Sequence, residues 1–203
     1  MSVAKNVVLI SEEEYLAREL AAEFRHEYVD GRVYAMAGAH SNHNRISGNV
    51  YIALGVHLKG KPCQPYASDM KVRVGSKYFY PDVLVDCSDT DGYFTESPTL
   101  IVEVLSRSTR RMDETTKRMA YLQIPSLREY VLIEQDFVDI EVIRRSEHWQ
   151  SRHYFLGDEV TFESVGLTVR VEEIYDRVKN RDVEEWLQAK EQEAGPAHGT
   201  DKL

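Results

Sequence analysis

The sequence has few cysteines, no long apolar segment and none of the common nucleotide-binding or hydrolase motifs. Cys63 and Cys87 are its only cysteines; they lie far apart and form no CxxC pair, so we expect reduced thiols. No run approaches the roughly 20 apolar residues of a membrane span, and the N-terminus lacks the apolar region of a signal peptide. There is no P-loop, dinucleotide fingerprint or nucleophile elbow. These absences favour a globular, cytoplasmic protein.

The charge balance is acidic, with a net charge of -9 at pH 7 over 203 residues. Proteins that coat nucleic acid by bulk attraction are usually basic, because neutralisation of phosphates supplies most of their affinity. An acidic protein can still act on DNA where nearby arginines, lysines or bound cations offset the repulsion. The charge therefore makes a nucleic-acid role less expected without excluding it.

The first third of the chain predicts two helices with a hairpin between them. Ser11, followed three residues later by Glu14, is a capping box that marks a helix start. Asp30-Gly31 separates two strand-like runs and indicates a tight turn. Apolar residues recur at helical spacing: Tyr15, Leu16, Leu20 and Phe24 in the first helix, and Ile46, Val50, Leu54 and Leu58 in the second.

The middle of the chain alternates strand-like and helix-like segments. Apolar runs such as 83–85 and 100–102 predict strands that are buried on both faces. We predict strands over 70–74, 78–86, 100–105, 130–133, 138–143 and 154–155, and helices over 109–123, 171–178 and 183–192. This order predicts an α/β (α+β) fold in which helices flank one mixed central β-sheet. We expect one domain over 1–180, then a charged helix and a disordered C-terminal tail over 181–203.

Two carboxylates lie where the predicted strands should be buried. Asp82 follows Pro81 and precedes an apolar run, and Glu103 interrupts the run over 100–105. A buried charge is costly unless it is paired or coordinates a metal. If the two strands are neighbours, both carboxylates can converge on one hard cation, which oxygen ligands suit. The alternative for each residue is a strand-end carboxylate that faces solvent or bonds to a loop.

Four further polar residues are candidates for the same site, and each has an ordinary alternative. Lys117 lies four residues after Asp113. The two could form a surface ion pair, or the lysine could reach over the sheet to the acidic pair. Glu27 could be an exposed cross-strand residue of the hairpin. His40 could cap the second helix, and Asp69, a candidate metal ligand, could be only a turn residue.

Several short segments, taken in order, carry a family resemblance. They are Glu27-Tyr28-Val29-Asp30-Gly31, His40, Pro81-Asp82-Val83, Val102-Glu103-Val104-Leu105-Ser106, Ser108-Thr109, Asp113, Lys117, Tyr121 and Glu129-Tyr130. Together they resemble the Uma2 family, a widespread bacterial and especially cyanobacterial group of restriction-endonuclease-like proteins. The resemblance spans roughly residues 11–178 and is most specific between Glu103 and Tyr130. Each segment is short, but their order and spacing make the resemblance strong.

The resemblance implies a PD-(D/E)xK nuclease core, in which carboxylates on neighbouring strands hold one or two divalent metals, usually Mg²⁺. Asp82 and Glu103 match the aspartate and the glutamate of that pattern. Leu105 stands where the pattern has its lysine, and the resemblance assigns the lysine to Lys117 on the helix. It also makes Glu27 an additional acidic residue, with His40 a further catalytic candidate. Four arginines would provide a basic rim: Arg107, Arg110, Arg111 and Arg118.

We therefore expect an endonuclease that cleaves DNA phosphodiester bonds through Asp82, Glu103 and Lys117, with Mg²⁺ or Mn²⁺ as cofactor. A homodimer would suit double-strand cleavage, which uses two sites. Two alternatives stay open. One is a nuclease-fold binding module without catalysis, which the displaced lysine and the acidic charge favour. The other is a hydrolase that acts on another phosphate ester at the same site.

Overall fold

A computed structural model describes residues 9–36, 38–88 and 91–194. The helices are α1 (Glu12–Leu20), α2 (Ser41–Leu58), a π-helical segment (Met112–Lys117) that continues into α3 (Arg118–Tyr121), α4 (Val171–Ile174) and α5 (Arg181–Ala194). The strands are β1 (His26–Val29), β2 (Arg32–Ala35), β3 (Gln64–Ala67), β4 (Lys71–Val74), β5 (Lys77–Phe79), β6 (Val83–Asp86), β7 (Phe94–Thr95), β8 (Pro98–Leu105), β9 (Glu129–Glu134), β10 (Ile140–Arg144), β11 (Ser151–Tyr154), β12 (Glu159–Phe162) and β13 (Leu167–Arg170). Both predicted N-terminal helices and the hairpin between them are present.

The strands form two large mixed sheets and a separate two-stranded sheet. In the six-stranded sheet the order is β11-β10-β9-β8-β6-β3, with β8 and β9 parallel. In the five-stranded sheet the order is β2-β1-β5-β4-β7, with β4 and β7 parallel. The third sheet is the antiparallel pair β12-β13. The mixed α/β (α+β) architecture, with a mixed β-sheet flanked by helices, is confirmed, and the strands form a second large sheet in addition to it.

The division into two large sheets arises within the segment predicted as one strand over 78–86. β5 ends at Phe79 and belongs to the five-stranded sheet, whereas β6 begins at Val83 and belongs to the six-stranded sheet. Pro81 lies between them and has no N–H to donate to a strand ladder. The chain therefore crosses from one sheet to the other immediately before β6, which places Asp82 at their junction.

Apolar side chains cover both faces of the six-stranded sheet. On one face, α2 packs through Ile46, Val50 and Leu54, which are all buried. On the other face lie Ala120 and Tyr121 of α3. Strands β6 and β8 are buried along their whole lengths, as their apolar runs predicted. A polar side chain on β8 is consequently enclosed by the fold.

The apolar face predicted for the first helix is only partly correct. Ser11 caps α1 by accepting a hydrogen bond from the backbone N–H of Glu14 at 3.1 Å, as the capping box predicted. Tyr15 is buried, but Leu20 and Phe24 are 62% and 69% exposed. The helix ends at Leu20, so Phe24 no longer follows the helical period. The assignment of these two residues to an apolar face was wrong.

Cys63 and Cys87 form a disulfide, so the expectation of reduced thiols was wrong. The cysteines are 24 residues apart in the sequence, but β3 and β6 pair antiparallel with Gln64 opposite Asp86. Cys63 directly precedes β3 and Cys87 directly follows β6, so strand pairing brings the two together. Because disulfides persist mainly in oxidising compartments, the cysteines no longer support a cytoplasmic setting.

Helix α5 confirms the charged helix predicted near the C-terminus. Its first turn contacts the rest of the fold: Asp182 accepts a hydrogen bond from the backbone N–H of Val138 at 2.8 Å, and Val183 is buried. The predicted disordered tail beyond residue 194 lies outside the described residues, and the domain boundary at residue 180 stays a prediction. Within the described ranges, no helix combines the length and apolar character needed to cross a bilayer.

Candidate active site

Asp82 and Glu103 lie close to each other at the pair of strands β6 and β8. These strands pair antiparallel with Val83 opposite Val102; Asp82 directly precedes β6, and Glu103 directly follows Val102 on β8. Both residues line the same cavity. Oδ2 of Asp82 also accepts a hydrogen bond from the backbone N–H of Val104 at 2.7 Å. The two strands are therefore neighbours, which was the condition for the two carboxylates to share one cation.

Lys117 reaches the carboxylates from the π-helical segment above the sheet. Its Nζ lies 3.1 Å from Oε1 of Glu103 and 3.0 Å from Oδ1 of Asp113. The pair with Asp113 is buried, with both residues at most 4% exposed, so the surface ion pair considered for these residues does not form. Tyr121, one turn further along, donates its hydroxyl to the same Oε1 of Glu103 at 3.1 Å.

Glu27 completes the cluster from the other large sheet. It lies on β1, and its Oε1 is 2.9 Å from Nζ of Lys117. The same oxygen accepts a hydrogen bond from the backbone N–H of Tyr80 at 3.2 Å. The two sheets therefore meet at one group of charged residues, here called the acidic cluster: Glu27, Asp82, Glu103, Asp113 and Lys117.

The acidic cluster holds four carboxylates and one ammonium, so its charges do not balance. Burial raises the pKa of Glu103 well above its ordinary value, and the neighbouring carboxylates add to this while Lys117 opposes it. Burial likewise raises the pKa of Asp113, again against the effect of Lys117. Burial alone would lower the pKa of Lys117, but the surrounding carboxylates outweigh it and raise that pKa. The ammonium thus stays charged but cannot neutralise all its neighbours.

Of the two histidines at the start of α2, His43 contacts the cluster. Its Nε2 lies 3.2 Å from Oδ2 of Asp82, and its side chain is 13% exposed. Among the described residues, its buried Nδ1 has no hydrogen-bond partner. His40 instead caps α2 by accepting a hydrogen bond from the backbone N–H of Asn42 at 3.2 Å. The capping role considered for His40 is present, although its side chain lines the same cavity.

The donor set of the cluster fits a hard divalent cation. The contacts of Asp82 use Oδ2 and those of Glu103 use Oε1. Carboxylate oxygens in a cluster with surplus negative charge suit Mg²⁺ or Mn²⁺. The described residues do not, however, place three or more acidic, histidine or cysteine side chains in a ready ligand arrangement.

The cluster lies at one side of a cavity of about 610 Å³. The acidic cluster supplies one wall of this cavity. A second wall comes from β2 and the chain that follows it, and a third from the start of α2. The fourth comes from the carboxyl ends of β8 and β9, including Ser106 to Thr109 and Gln135. A ligand in this cavity would touch both large sheets.

Several residues considered from the sequence lie apart from the cluster. Asp69 is an exposed residue whose carboxylate pairs with Arg25 at 3.0 Å, and it does not line the cavity. Arg110 forms an ion pair with Glu134, so it is partly neutralised. Arg107 does line the cavity and is 92% exposed. Only part of the predicted basic rim is therefore positioned to meet a ligand.

Three members of the site were missed or undervalued in the sequence. His43 lies on the buried stripe of α2, three residues before Ile46 and seven before Val50, and this spacing was the available signal. Asp113 has no such signal, because an i, i+4 partner of lysine is usually at the surface. Tyr121 lies four residues after Lys117, a spacing that places the two on one helix face.

Comparison with known proteins places the sequence in a family. The sequence matches the Uma2 family, described as "Putative restriction endonuclease", over residues 12–172. A Synechocystis protein described as uncharacterized, slr1290, is 35% identical over 173 residues, which cover 82% of this chain and 91% of the relative. A second one, sll1609, is 34% identical over 157 residues, which cover 74% and 85% of the two chains.

A solved structure shows the same fold. It is the crystal structure of a protein from Anabaena variabilis, described as a putative nuclease belonging to DUF820. The TM-score is 0.71 at 16% identity, and the match covers 84% of this chain and 99% of that one. Since the family match spans most of the sequence and both Synechocystis relatives cover it well, the chain belongs to the Uma2 family.

Proposed function

We propose that the protein is a divalent-metal-dependent endonuclease that cleaves DNA phosphodiester bonds, with Mg²⁺ or Mn²⁺ held by Asp82 and Glu103. The observation that carries the proposal is the surplus of buried carboxylates around one lysine, beside a cavity of about 610 Å³. Burying three carboxylates around one ammonium, with a fourth carboxylate close by, is unfavourable for folding alone. A bound divalent cation would remove most of that cost.

The residues of the acidic cluster would have different roles in the reaction. When bound, the cation would lower the pKa of a coordinated water and polarise the phosphate. Asp82 and Glu103 would hold it through carboxylate oxygens. Lys117, at 3.1 Å from Glu103, supplies the positive charge that opposes the charge developing on the phosphoryl oxygens. Glu27 and Asp113 keep this lysine protonated and in place through their ion pairs.

The surroundings of the cluster bear on the substrate, the oligomeric state and the location of the protein. Arg107 lines the cavity and can approach a phosphate, because its side chain is 92% exposed and its pair with Asp136 is long, at 3.5 Å. A homodimer would supply the two sites that double-strand cleavage needs. A cytoplasmic setting now rests only on the location of the proposed substrate, because the cysteines are paired.

The test is Mn²⁺ binding by calorimetry and nicking of supercoiled plasmid, measured on wild type, Asp82→Ala and Asp69→Ala. Asp82→Ala should abolish both binding and nicking, because it removes a ligand oxygen. Asp69→Ala should match wild type, because that carboxylate lies outside the cavity. Nicking that survives in Asp82→Ala would refute the proposed site. Wild type that neither binds Mn²⁺ nor nicks DNA would instead favour a nuclease-fold binding module.

A further inference from the structure

The depth of the acidic cluster restricts what can reach it. Glu103 and Lys117 are 2% and 4% exposed, so a scissile phosphate must enter the cavity to approach them. The cavity, of about 610 Å³, is of the size that encloses small ligands. The phosphates of an intact duplex remain attached to two paired strands, which such a cavity does not admit, so cleavage of a plasmid or of both strands by a homodimer would require local unpairing at each site. A strand without its complement can enter.

One wall of the cavity carries a tyrosine in a position to stack on a base. Tyr34 lies on β2 directly opposite Glu27 of β1, so both side chains project from the same face of the hairpin. It lines the cavity and is 36% exposed. Aromatic side chains at such positions bind unpaired bases by stacking, whatever their sequence.

Another wall of the cavity carries a buried amide whose oxygen has no partner. Gln135 follows β9, and the parallel register of β8 and β9 places it level with Ser106 at the carboxyl ends of both strands. It is 6% exposed, lines the cavity, and its Oε1 has no hydrogen-bond partner among the described residues. A buried amide oxygen without a partner is costly. The donor and acceptor of the carboxamide match the hydrogen-bonding edge that a base exposes only when unpaired.

From these two walls we infer that the substrate is a single-stranded or locally unpaired nucleic acid, one nucleotide of which enters the cavity. Tyr34 stacks on its base, and Gln135 bonds to the base edge. The inference rests on the proposed nuclease function, since it names the form of that site's substrate. It also fits the net charge of -9, because an acidic protein is poorly suited to hold a duplex by bulk attraction.

The experiment compares binding of a fluorescein-labelled single strand with binding of the same strand annealed to its complement, by fluorescence anisotropy. Ca²⁺ replaces Mg²⁺, because it takes the same oxygen ligands. We expect the single strand to bind at least about tenfold more tightly than the duplex. Tyr34→Ala and Gln135→Leu should each weaken single-strand binding by about tenfold, and Tyr34→Phe should retain it.

The matched controls are Tyr51→Ala and Gln150→Leu, which alter exposed residues outside the cavity. Equal affinities for the two probes, no binding of either, or equal losses in Tyr34→Ala and Tyr51→Ala would overturn the inference. Nicking assays keep the two proposals separate. Metal-dependent cleavage at equal rates on both forms would refute the inference and leave the nuclease. Selective binding of the single strand without any cleavage would refute the nuclease and leave the inference about the form of nucleic acid that is bound.

Discussion

Two ion clusters of the described fold differ in how their charges are balanced. In the acidic cluster, three buried carboxylates surround Lys117. In the other cluster, Arg144 of β10 pairs with Glu129 of β9, with Nε of the arginine 3.1 Å from the glutamate. Both Arg144 and Glu129 are at most 2% exposed.

The cluster around Arg144, here called the Arg144 network, is balanced within the buried region. Nη2 of Arg144 donates to the carbonyl of Thr161 at 2.8 Å and to the hydroxyl of Tyr154 at 3.2 Å. Glu129 also accepts the backbone N–H groups of Glu163 and Ser164 at 3.0 and 2.7 Å. The two other carboxylates that contact Arg144, those of Glu147 and Glu163, are 22% and 52% exposed, so one buried arginine faces one buried carboxylate. Lys117 faces three buried carboxylates, so burial by itself does not distinguish a site from a structural element.

The largest expected difference between the clusters is in how far Mn²⁺ restores stability after the charged lysine or arginine of each cluster is replaced. Lys117→Met and Arg144→Met should each lower the free energy of unfolding by about 3–5 kcal/mol, since each leaves buried carboxylates uncompensated. Mn²⁺ should restore much of the loss in Lys117→Met by binding the folded state, and none in Arg144→Met. Urea unfolding with and without Mn²⁺ measures both. Equal recovery in the two variants would contradict the distinction between the clusters.

Neutralising one carboxylate in each cluster should lower the free energy of unfolding by a smaller amount, and by different amounts in the two clusters. Glu129→Gln should cost about 3 kcal/mol, because Arg144 is then buried without its counter-charge. Glu103→Gln should change the metal-free protein by less than about 1 kcal/mol, because it relieves repulsion and its carbonyl can still accept the bonds of Lys117 and Tyr121. Unfolding in urea with EDTA gives both values. A large loss in Glu103→Gln would show that its charge serves folding.

The smallest expected effect concerns the histidines beside the acidic cluster. His43→Ala should weaken Mn²⁺ binding by about 10–100-fold, because His43 holds Oδ2 of Asp82, the carboxylate proposed to bind the cation. His40→Ala should leave the affinity unchanged, since that side chain caps α2. Calorimetry on the two variants provides the comparison. Equal affinities would remove His43 from the site.

Strand patterns predicted the acidic pair, because a charge inside an apolar run is visible in one sequence. Asp82 and Glu103 were found in this way, and the family resemblance supplied the role of Lys117. The features of the fold and site that depend on strand pairing between distant segments could not be predicted from the sequence. The five-stranded sheet, the contact of Glu27 with Lys117 and the disulfide of Cys63 all depend on which strands become neighbours.

Helix patterns were informative only where the helix is regular. The stripe of α2 was predicted correctly at Ile46, Val50 and Leu54. Within the helix predicted over 109–123, the π-helical segment interrupts the usual period, and nothing in its composition indicated this. The burial of Asp113 therefore could not be foreseen from its spacing to Lys117.

The π-helical segment makes the number of residues in this part of the chain as important as their identity. The backbone N–H of Arg118 bonds to the carbonyl of Asp113, five residues earlier, so one turn holds an extra residue. In an α-helix each residue advances by about 100°. Deleting one residue from this turn would rotate Asp113 by about that angle relative to Tyr121 and carry it away from the cluster. An insertion or deletion here would therefore displace several residues of the cluster at once, and we expect alignments of relatives to keep this segment free of gaps.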